Sequence, residues 1–311
     1  MNYGLAVLIF SSVVLLTACK NNGSPYETGN LAADDVCLDC GSPRKIVSLP
    51  QLENSLFTSG GRLFVSGQFN LYEIQRDGQE YRADALLPDG SGCSGMSEDK
   101  GILYALCSGS GGPTDFSGLY TMSLDDPLAT PVFSYSLTGM SLPNGMVATP
   151  SGLYVTDGPV AIEPKIVHLT IDPADPTRVL AQDTWLSTLP DYPNGLAHHE
   201  GVLYVTFYRP GFGGQVTRLV INPDGTPGEP ENIAPRGIMD DLTVVGDSLI
   251  VTDWQNGGLF QIDLAGGLRQ ETASNLFAQP SSVTIAGPPL FDEASILVTE
   301  RYTGDGLWVL E

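Results

Sequence analysis

A short pattern of a polar turn followed by an apolar hairpin occurs six times along this chain of 311 residues. The clearest copy leads from Pro143-Asn144-Gly145, after a turn, to Tyr154-Val155-Thr156-Asp157. Repeats of about 40–50 residues with several short strands each are typical of β-propeller blades. The pattern therefore predicts an all-β fold, a six-bladed β-propeller over residues 44–311. Five or seven blades are the rival counts, and they place the strands at the two ends less simply. The first polar positions of the six copies, called here the first ring, are Asn54, Ser94, Asn144, Asn194, Asp240 and Ser281, at spacings of 40, 50, 50, 46 and 41 residues.

The two ends of the repeated region are expected to meet in one blade. The last copy reaches Glu311 after its third strand, whereas a strand over residues 45–49 precedes the first copy. An N-terminal strand that completes the last blade would remove the exposed edges of a linear array.

The charge of the chain limits its partners. It carries 36 acidic and 14 basic side chains, a net charge of −22. A surface of this sign repels phosphate backbones, so nucleic-acid binding is not expected. Hydrophobic residues make up 42% of the chain, enough for a large core, and a monomer is expected.

The first 18 residues are uncharged and contain an apolar stretch that is too short to span a bilayer, as in a signal peptide. Leu16-Thr17-Ala18-Cys19 then resembles the lipobox of bacterial lipoproteins. This resemblance implies cleavage after residue 18, lipidation of Cys19, a flexible tether over 19–43 and a place in the cell envelope, with the outer membrane favoured because Lys20 follows. An ordinary signal peptide with a chance cysteine is the alternative.

Four cysteines remain if Cys19 is acylated. Cys93 and Cys107 flank an expected hairpin turn, and in an oxidising compartment they are predicted to form a disulfide. Cys37 and Cys40 suit a local disulfide, a redox pair or half of a metal site; the local disulfide is favoured because no second Cys/His pair completes a zinc site.

Strand geometry places two polar positions of each copy on one face of the propeller. Asn144 and Asp157 are 13 residues apart, the span of two short strands and a turn. The same spacing defines a second ring beside the first: Gly67, Cys107, Asp157, Phe207, Asp253 and Glu300.

These repeats resemble the gluconolactonase, regucalcin and paraoxonase-like group of six-bladed propellers. The resemblance implies a divalent cation, with calcium favoured, in the axial channel, and its ligands map onto Asn54, Asn144, Asn194 and Asp240. Either Glu53 or Asn54 fills the place of the group's first-blade glutamate. Asn and Asp side chains that only cap turns between blades are the alternative.

The second ring and the residues after it supply the remaining candidates. Asp240 or Asp253 is a candidate general base acting on a metal-bound water. The predicted pocket comprises Asp157, Phe207, Arg209, Trp254, Glu300 and Tyr302, although the same residues would also suit packing between blades. No histidine falls on this face, which disfavours a Ser-His-Asp hydrolase.

Two functions are expected from these features. The first is a metal-dependent lactonase or esterase in the cell envelope that acts on a small lactone or ester. The second is a non-catalytic lipoprotein whose propeller face binds an envelope protein or a glycan.

Overall fold

A computed structural model describes residues 31–108, 117–158, 163–187, 189, 191–209, 213–235, 237–302 and 304–310. These residues form six four-stranded antiparallel sheets, which are the six predicted blades. The innermost strand of each blade contacts the innermost strands of the two neighbouring blades, and the contacts close into a ring. The signal peptide, Cys19 and the tether as far as residue 30 lie outside the described residues.

Blades 1 to 3 take the strands in chain order from the axis outward. Blade 1 contains β2 (Leu52–Phe57), β3 (Leu63–Gly67), β4 (Leu71–Asp77) and β5 (Glu80–Ala85). Blade 2 contains β6 (Cys93–Asp99), β7 (Ile102–Ser108), β8 (Ser117–Ser123) and β9 (Val132–Ser136). Blade 3 contains β10 (Pro143–Thr149), β11 (Gly152–Asp157), β12 (Lys165–Asp172) and β13 (Asp175–Leu186).

Blades 4 to 6 repeat the arrangement and close the ring. Blade 4 contains β14 (Tyr192–His199), β15 (Val202–Arg209), β16 (Gly213–Val220) and β17 (Glu231–Pro235). Blade 5 contains β18 (Met239–Val245), β19 (Ser248–Asp253), β20 (Gly258–Asp263) and β21 (Leu268–Glu271). Blade 6 contains β22 (Pro280–Ala286), β23 (Ser295–Glu300), β24 (Gly306–Leu310) and, as its outer strand, β1 (Arg44–Val47).

The predicted closure by the N-terminal strand is confirmed. β1 pairs antiparallel with β24, and Arg44 lies opposite Val309. Since one sheet then contains strands from both ends of the propeller, no blade is held by sequence neighbours alone, and the ring has no open edge between its first and last blades.

The core lies between blades, on both faces of the inner strands. β19 and β23 are buried at every residue, because each is covered by the blade before it and the blade after it. Outer strands are half exposed, as in β9 and β21. This burial explains the Val- and Leu-rich second strand of every repeat, and turn residues occur where the chain leaves the core.

The segment from residue 31 to residue 40, called here the N-terminal strap, differs from the expected flexible tether. Leu31, Ala33, Val36 and Leu38 are all at most 8% exposed, and they pack between blades 5 and 6. Its only helical turn is a 3-10 turn over Ala33–Asp35. None of the helical structure in the described ranges has the length and apolar character to span a membrane.

Both expected cysteine pairs form disulfides. Cys93 and Cys107 are directly opposite each other on β6 and β7, and Cys37 and Cys40 close a short loop at the end of the strap. The cross-strand bridge closes a loop of 15 residues, which in the chain-entropy account stabilises by about 3 kcal/mol.

Each innermost strand bulges at the first ring. In blade 3, Pro143 pairs with Asp157 and the next pair is Met146 with Val155, so that two residues lie opposite one. Blades 2, 4 and 5 have the same two-residue departure, and blades 1 and 6 have a single extra residue. A bulge removes backbone groups from the regular ladder, so their hydrogen bonds must be made elsewhere.

A buried hydroxyl group supplies those hydrogen bonds and links adjacent blades. Thr156 Oγ1 accepts from the Gly145 N–H at 2.7 Å and donates to the Asn194 carbonyl of blade 4 at 2.7 Å. Thr206 Oγ1 does the same between Gly195 (2.8 Å) and the Asp240 carbonyl of blade 5 (2.5 Å). Ser66 Oγ bridges blade 1 and blade 2 in the same way. We call Ser66, Thr156 and Thr206 the bridging hydroxyls.

Replacement of a bridging hydroxyl is expected to destabilise the fold. Thr206→Val leaves a buried N–H and a buried carbonyl without a partner, so the free energy of unfolding should fall by about 1–3 kcal/mol. Thr206→Ser keeps the hydroxyl and serves as the control. Urea unfolding monitored by fluorescence measures both variants; a Val variant as stable as the Ser variant would show that the bridge does not hold the blades.

Candidate functional site

The two predicted rings lie on the same face, around the axis of the propeller. In every blade the residue that precedes the first ring pairs directly with the second-ring residue. The pairs are Leu52 with Gly67, Cys93 with Cys107, Pro143 with Asp157, Pro193 with Phe207, Met239 with Asp253, and Pro280 with Glu300.

Blade 1 corrects the first ring by one residue. Because Leu52 pairs with Gly67 and Ser55 pairs with Val65, Glu53 and not Asn54 occupies the position of Asn144 and Asn194. Asn54 occupies the following position, which is Gly145 in blade 3. The sequence left both residues open, since blade 1 lacks the Pro-Asn-Gly that marks the register elsewhere.

The position after the first ring is where the blades approach most closely. A Cβ placed on Gly145 would lie 2.2 Å from the Asn194 carbonyl oxygen, and one on Gly95 would lie 2.3 Å from the Asn144 carbonyl oxygen. A side chain cannot be accommodated at those distances, so glycine is required there. Blades 5 and 1 have Asp241 and Asn54 instead, and these two side chains therefore extend into the channel region.

Asp240 and Asp241 form the centre of the candidate site. Asn194 Nδ2 donates to Asp240 Oδ1, and Asn54 Nδ2 donates to Asp241 Oδ2 at 3.2 Å. Asp241 is 8% exposed, whereas Asp240 keeps part of its surface open. Three of the four predicted metal ligands, Asn54, Asn194 and Asp240, are therefore brought together, with Asp241 among them.

The pKa values of this pair are raised. Burial, and then the neighbouring Asp241 carboxylate, raise the pKa of Asp240 well above its ordinary value, against the hydrogen bond from Asn194. Burial raises the pKa of Asp241 to about 7, against hydrogen bonds from the Leu242 N–H, Ser282 and Asn54. Two adjacent buried carboxylates without a cation beside them cannot both carry a full charge easily.

The other first-ring residues have mixed roles. Asn144 is 9% exposed and belongs to the same ring. Ser94 Oγ donates to the Pro143 carbonyl at 2.9 Å and Ser281 Oγ to the Leu52 carbonyl at 3.0 Å, so both link blades. Within the described ranges, no group of three or more His, Cys, Asp or Glu side chains is arranged to hold a metal ion. Amide oxygens from asparagine would have to contribute to any such site here.

The acidic residues of the second ring bind backbone groups. Asp157 accepts from the Leu142 N–H at 2.7 Å, and Glu300 accepts from the Ala278 N–H at 2.6 Å. Asp253 accepts from the Asn256 N–H at 3.0 Å and from Asn256 Nδ2 at 2.9 Å. Both oxygens of Asp253 are thus used to hold a turn, and the geometry favours Asp240 over Asp253 as a base.

The predicted aromatic rim is only partly formed. Phe207 is 2% exposed and packs in the core with Tyr154 and Leu196, which corrects its assignment to the pocket. Trp254 and Tyr302 do form a pair at the mouth, with ring centroids 6.3 Å apart and nearly perpendicular planes. The side chain of Arg209 lies outside the described residues.

Arg301 is a channel residue that the sequence placed only beside the rim. Its guanidinium forms an ion pair with Glu53 and lies 5.2 Å from the centre of the Tyr302 ring. Burial lowers the pKa of Arg301. The cation nearest to the first-ring acid of blade 1 is therefore a side chain of blade 6.

Asp241 is the main residue that sequence reasoning missed. A signal was present: blades 3 and 4 have Asn-Gly at the first ring and the position after it, whereas blade 5 has Asp240-Asp241. A carboxylate where the repeat otherwise requires glycine marks a place at which a conformational rule gives way to another demand.

The comparisons with known proteins agree on the fold. No family model matches the chain, and no curated protein sequence matches it. The solved structures similar to it include the calcium-binding protein regucalcin from Agrobacterium tumefaciens (14% identity, 88% of this chain and 95% of that chain, TM-score 0.62). A luciferin-regenerating enzyme (14%, 86% and 94%, 0.61) and the PQQ-bound aldose sugar dehydrogenase of Streptomyces coelicolor (15%, 86% and 97%, 0.58) are similar too. At these identities the likeness establishes the propeller fold alone.

The raised pKa of Asp241 predicts a pH dependence of stability in the metal-free protein. Between about pH 4 and pH 7 the folded chain keeps a proton that the unfolded chain has lost, so the free energy of unfolding should fall as the pH rises through that window. Asp241→Asn should flatten this fall and be more stable than the wild type at pH 8.

Urea unfolding in EDTA at several pH values measures this slope. Asp247→Asn, a change at an exposed carboxylate in the β18–β19 turn, is the matched control and should keep the wild-type slope. Equal slopes for the wild type and Asp241→Asn would contradict the assignment.

Proposed function

We propose that this chain is an envelope-anchored, metal-dependent hydrolase of the lactonase or esterase kind. The proposal rests on one observation: Asp240 and Asp241 are buried side by side in the axial channel, among amide side chains and with no described cation between them. Anchoring would be through lipidated Cys19, and the expected cation is divalent, with calcium as the first candidate.

The residues present fit a hard divalent cation. Asp240, Asn194 and Asn144 would offer carboxylate and amide oxygens, which are the ligands that calcium takes, with waters filling the remaining positions. A cation would also relieve the repulsion that raises the pKa of Asp240. Glu53 occupies the equivalent ring position in blade 1, but its charge is already paired with Arg301.

The chain's own residues divide the work at this site. A bound cation would polarise the carbonyl of a lactone or ester. Asp240 is the candidate general base, because it is the open member of the acidic pair and a carboxylate with a raised pKa accepts a proton near neutral pH more effectively. Asn194 orients Asp240 through its amide, and Asn54 orients Asp241.

A non-catalytic role of the same face is the second candidate. Tyr302 is 53% exposed and packs against Trp254 at the channel mouth. Exposed aromatic side chains are common centres of protein and glycan recognition. A partner in the cell envelope would then bind over the mouth, with Arg301 and Tyr302 among its contacts.

Calcium binding predicts a shift in thermal stability. At a free calcium concentration one hundred times the Kd, the folded state gains about 2.7 kcal/mol, so the Tm should rise by several degrees above its value in EDTA. Asn194→Ala should abolish the shift, whereas Asp247→Asn should keep it. A Tm that responds to neither calcium nor EDTA would rule out the proposed metal site.

Turnover of small lactones and aryl esters tests the base. Asp240→Asn should lower kcat by about 10²–10⁴, because it removes the proton acceptor while keeping the shape of the side chain. Asp247→Asn is again the control, since it changes one acidic side chain at the opposite end of β18. If Asp240→Asn keeps wild-type turnover, Asp240 has no part in the chemistry; if the wild type hydrolyses neither class, the binding role is favoured.

A further inference from the structure

The N-terminal strap fixes where the chain leaves the propeller. Leu31, Val36 and Leu38 pack with inner strands of blades 5 and 6, including Val245 and Ile285. Gln261 Nε2 donates to the Ala33 carbonyl at 2.8 Å, and the Leu38 N–H donates to Gln270 Oε1 at 3.3 Å. Apolar burial and two hydrogen bonds to the sheet therefore hold the strap in a groove.

The start of the strap lies on the face opposite to the candidate site. A Cβ on Gly246 would be 2.8 Å from the Leu31 carbonyl oxygen and 2.9 Å from the Ala33 nitrogen, so the strap begins against the β18–β19 turn. Asp240 is at the other end of β18, six residues away, which corresponds to about 20 Å. Leu38 reaches outward to β21, so Leu31 is the end of the strap nearest to the axis.

The chain between Cys19 and Leu31 is short for reaching the other face. Twelve residues extend to at most about 40 Å. A path from Leu31 to the mouth must cross four strands at about 4.8 Å each and then climb the 20 Å height of the blade, which together use nearly all of that length. For a flexible chain of this length the average span is only about 20 Å.

We propose that the anchored protein turns its turn face toward the membrane and opens its channel mouth to the aqueous compartment. This inference rests on the proposed lipid anchor at Cys19. It also narrows the ligand class: the substrate or partner is water-soluble and arrives from the side away from the bilayer, and a molecule embedded in the lipid cannot reach Asp240 or Trp254.

Energy transfer to labelled lipid measures this orientation. The full chain, produced with its own leader in a Gram-negative host, is reconstituted in vesicles containing acceptor-labelled lipid. One donor dye is placed at Glu200→Cys, in the β14–β15 turn, where the side chain is 86% exposed. The other is placed at Tyr302→Cys at the mouth. Transfer from position 200 should exceed transfer from position 302.

A variant that releases the strap provides the control for the mechanism. Val36→Asp with Leu38→Asp would lengthen the free chain from 12 to 25 residues, counted from Cys19 to the start of β1 at Arg44, and should reduce the difference between the two dyes. Should this variant fail to fold, the comparison of the two positions in the otherwise unchanged protein still decides the orientation.

Each outcome has a separate meaning. Equal transfer, or stronger transfer from position 302, overturns the orientation even when the anchor is real. Incorporation of labelled palmitate, lost in Cys19→Ala, establishes the anchor independently. A wild type that takes up no palmitate refutes the anchor and the orientation with it.

Discussion

The buried hydroxyl at the end of each second strand satisfies a requirement that the centre of the propeller creates. The innermost strands bulge where they come together at the axis, and a bulge leaves backbone N–H and C=O groups outside the ladder in a region largely closed to water. Ser66, Thr156 and Thr206 each accept from one blade and donate to the next, so the same atom meets the local demand and sets the distance between blades.

The polar character of the channel follows from that packing. Because the blades approach within van der Waals contact, the position after the first ring is glycine in blades 2, 3 and 4. Blades 5 and 1 have Asp241 and Asn54 there, and the two side chains meet past blade 6. The negative charge of the channel is thereby concentrated on one side, at Asp240 and Asp241, while Arg301 neutralises Glu53 on another.

The sequence predicted the architecture well because the architecture is periodic. Six copies of one pattern predict six blades, and a third strand at the end together with a spare strand at the start predicts the closure of blade 6. Both are confirmed. The cross-strand position of Cys93 and Cys107 follows from the same repeat, because both residues occupy fixed places in the hairpin of blade 2.

Side-chain roles were harder to predict, for physical reasons. An aspartate at the end of a strand has the same pattern whether it binds a ligand or holds a turn, and the geometry shows the second use for Asp157 and Asp253. Phe207 occupies a ring position but enters the core. The strap was missed because its short run has no repeat partner, although the apolar residues Leu31, Ala33, Val36 and Leu38 do show an alternating spacing.

The central claim is that the polar ring at the axis binds a divalent cation. Anomalous diffraction from crystals grown with Mn²⁺ in place of calcium tests it most directly, since the scattering locates the ion without reference to activity. The account predicts a single strong anomalous peak within coordinating distance of the Asp240 and Asn194 side chains. Peaks confined to acidic side chains on the outer strands, with none in the channel, would contradict it.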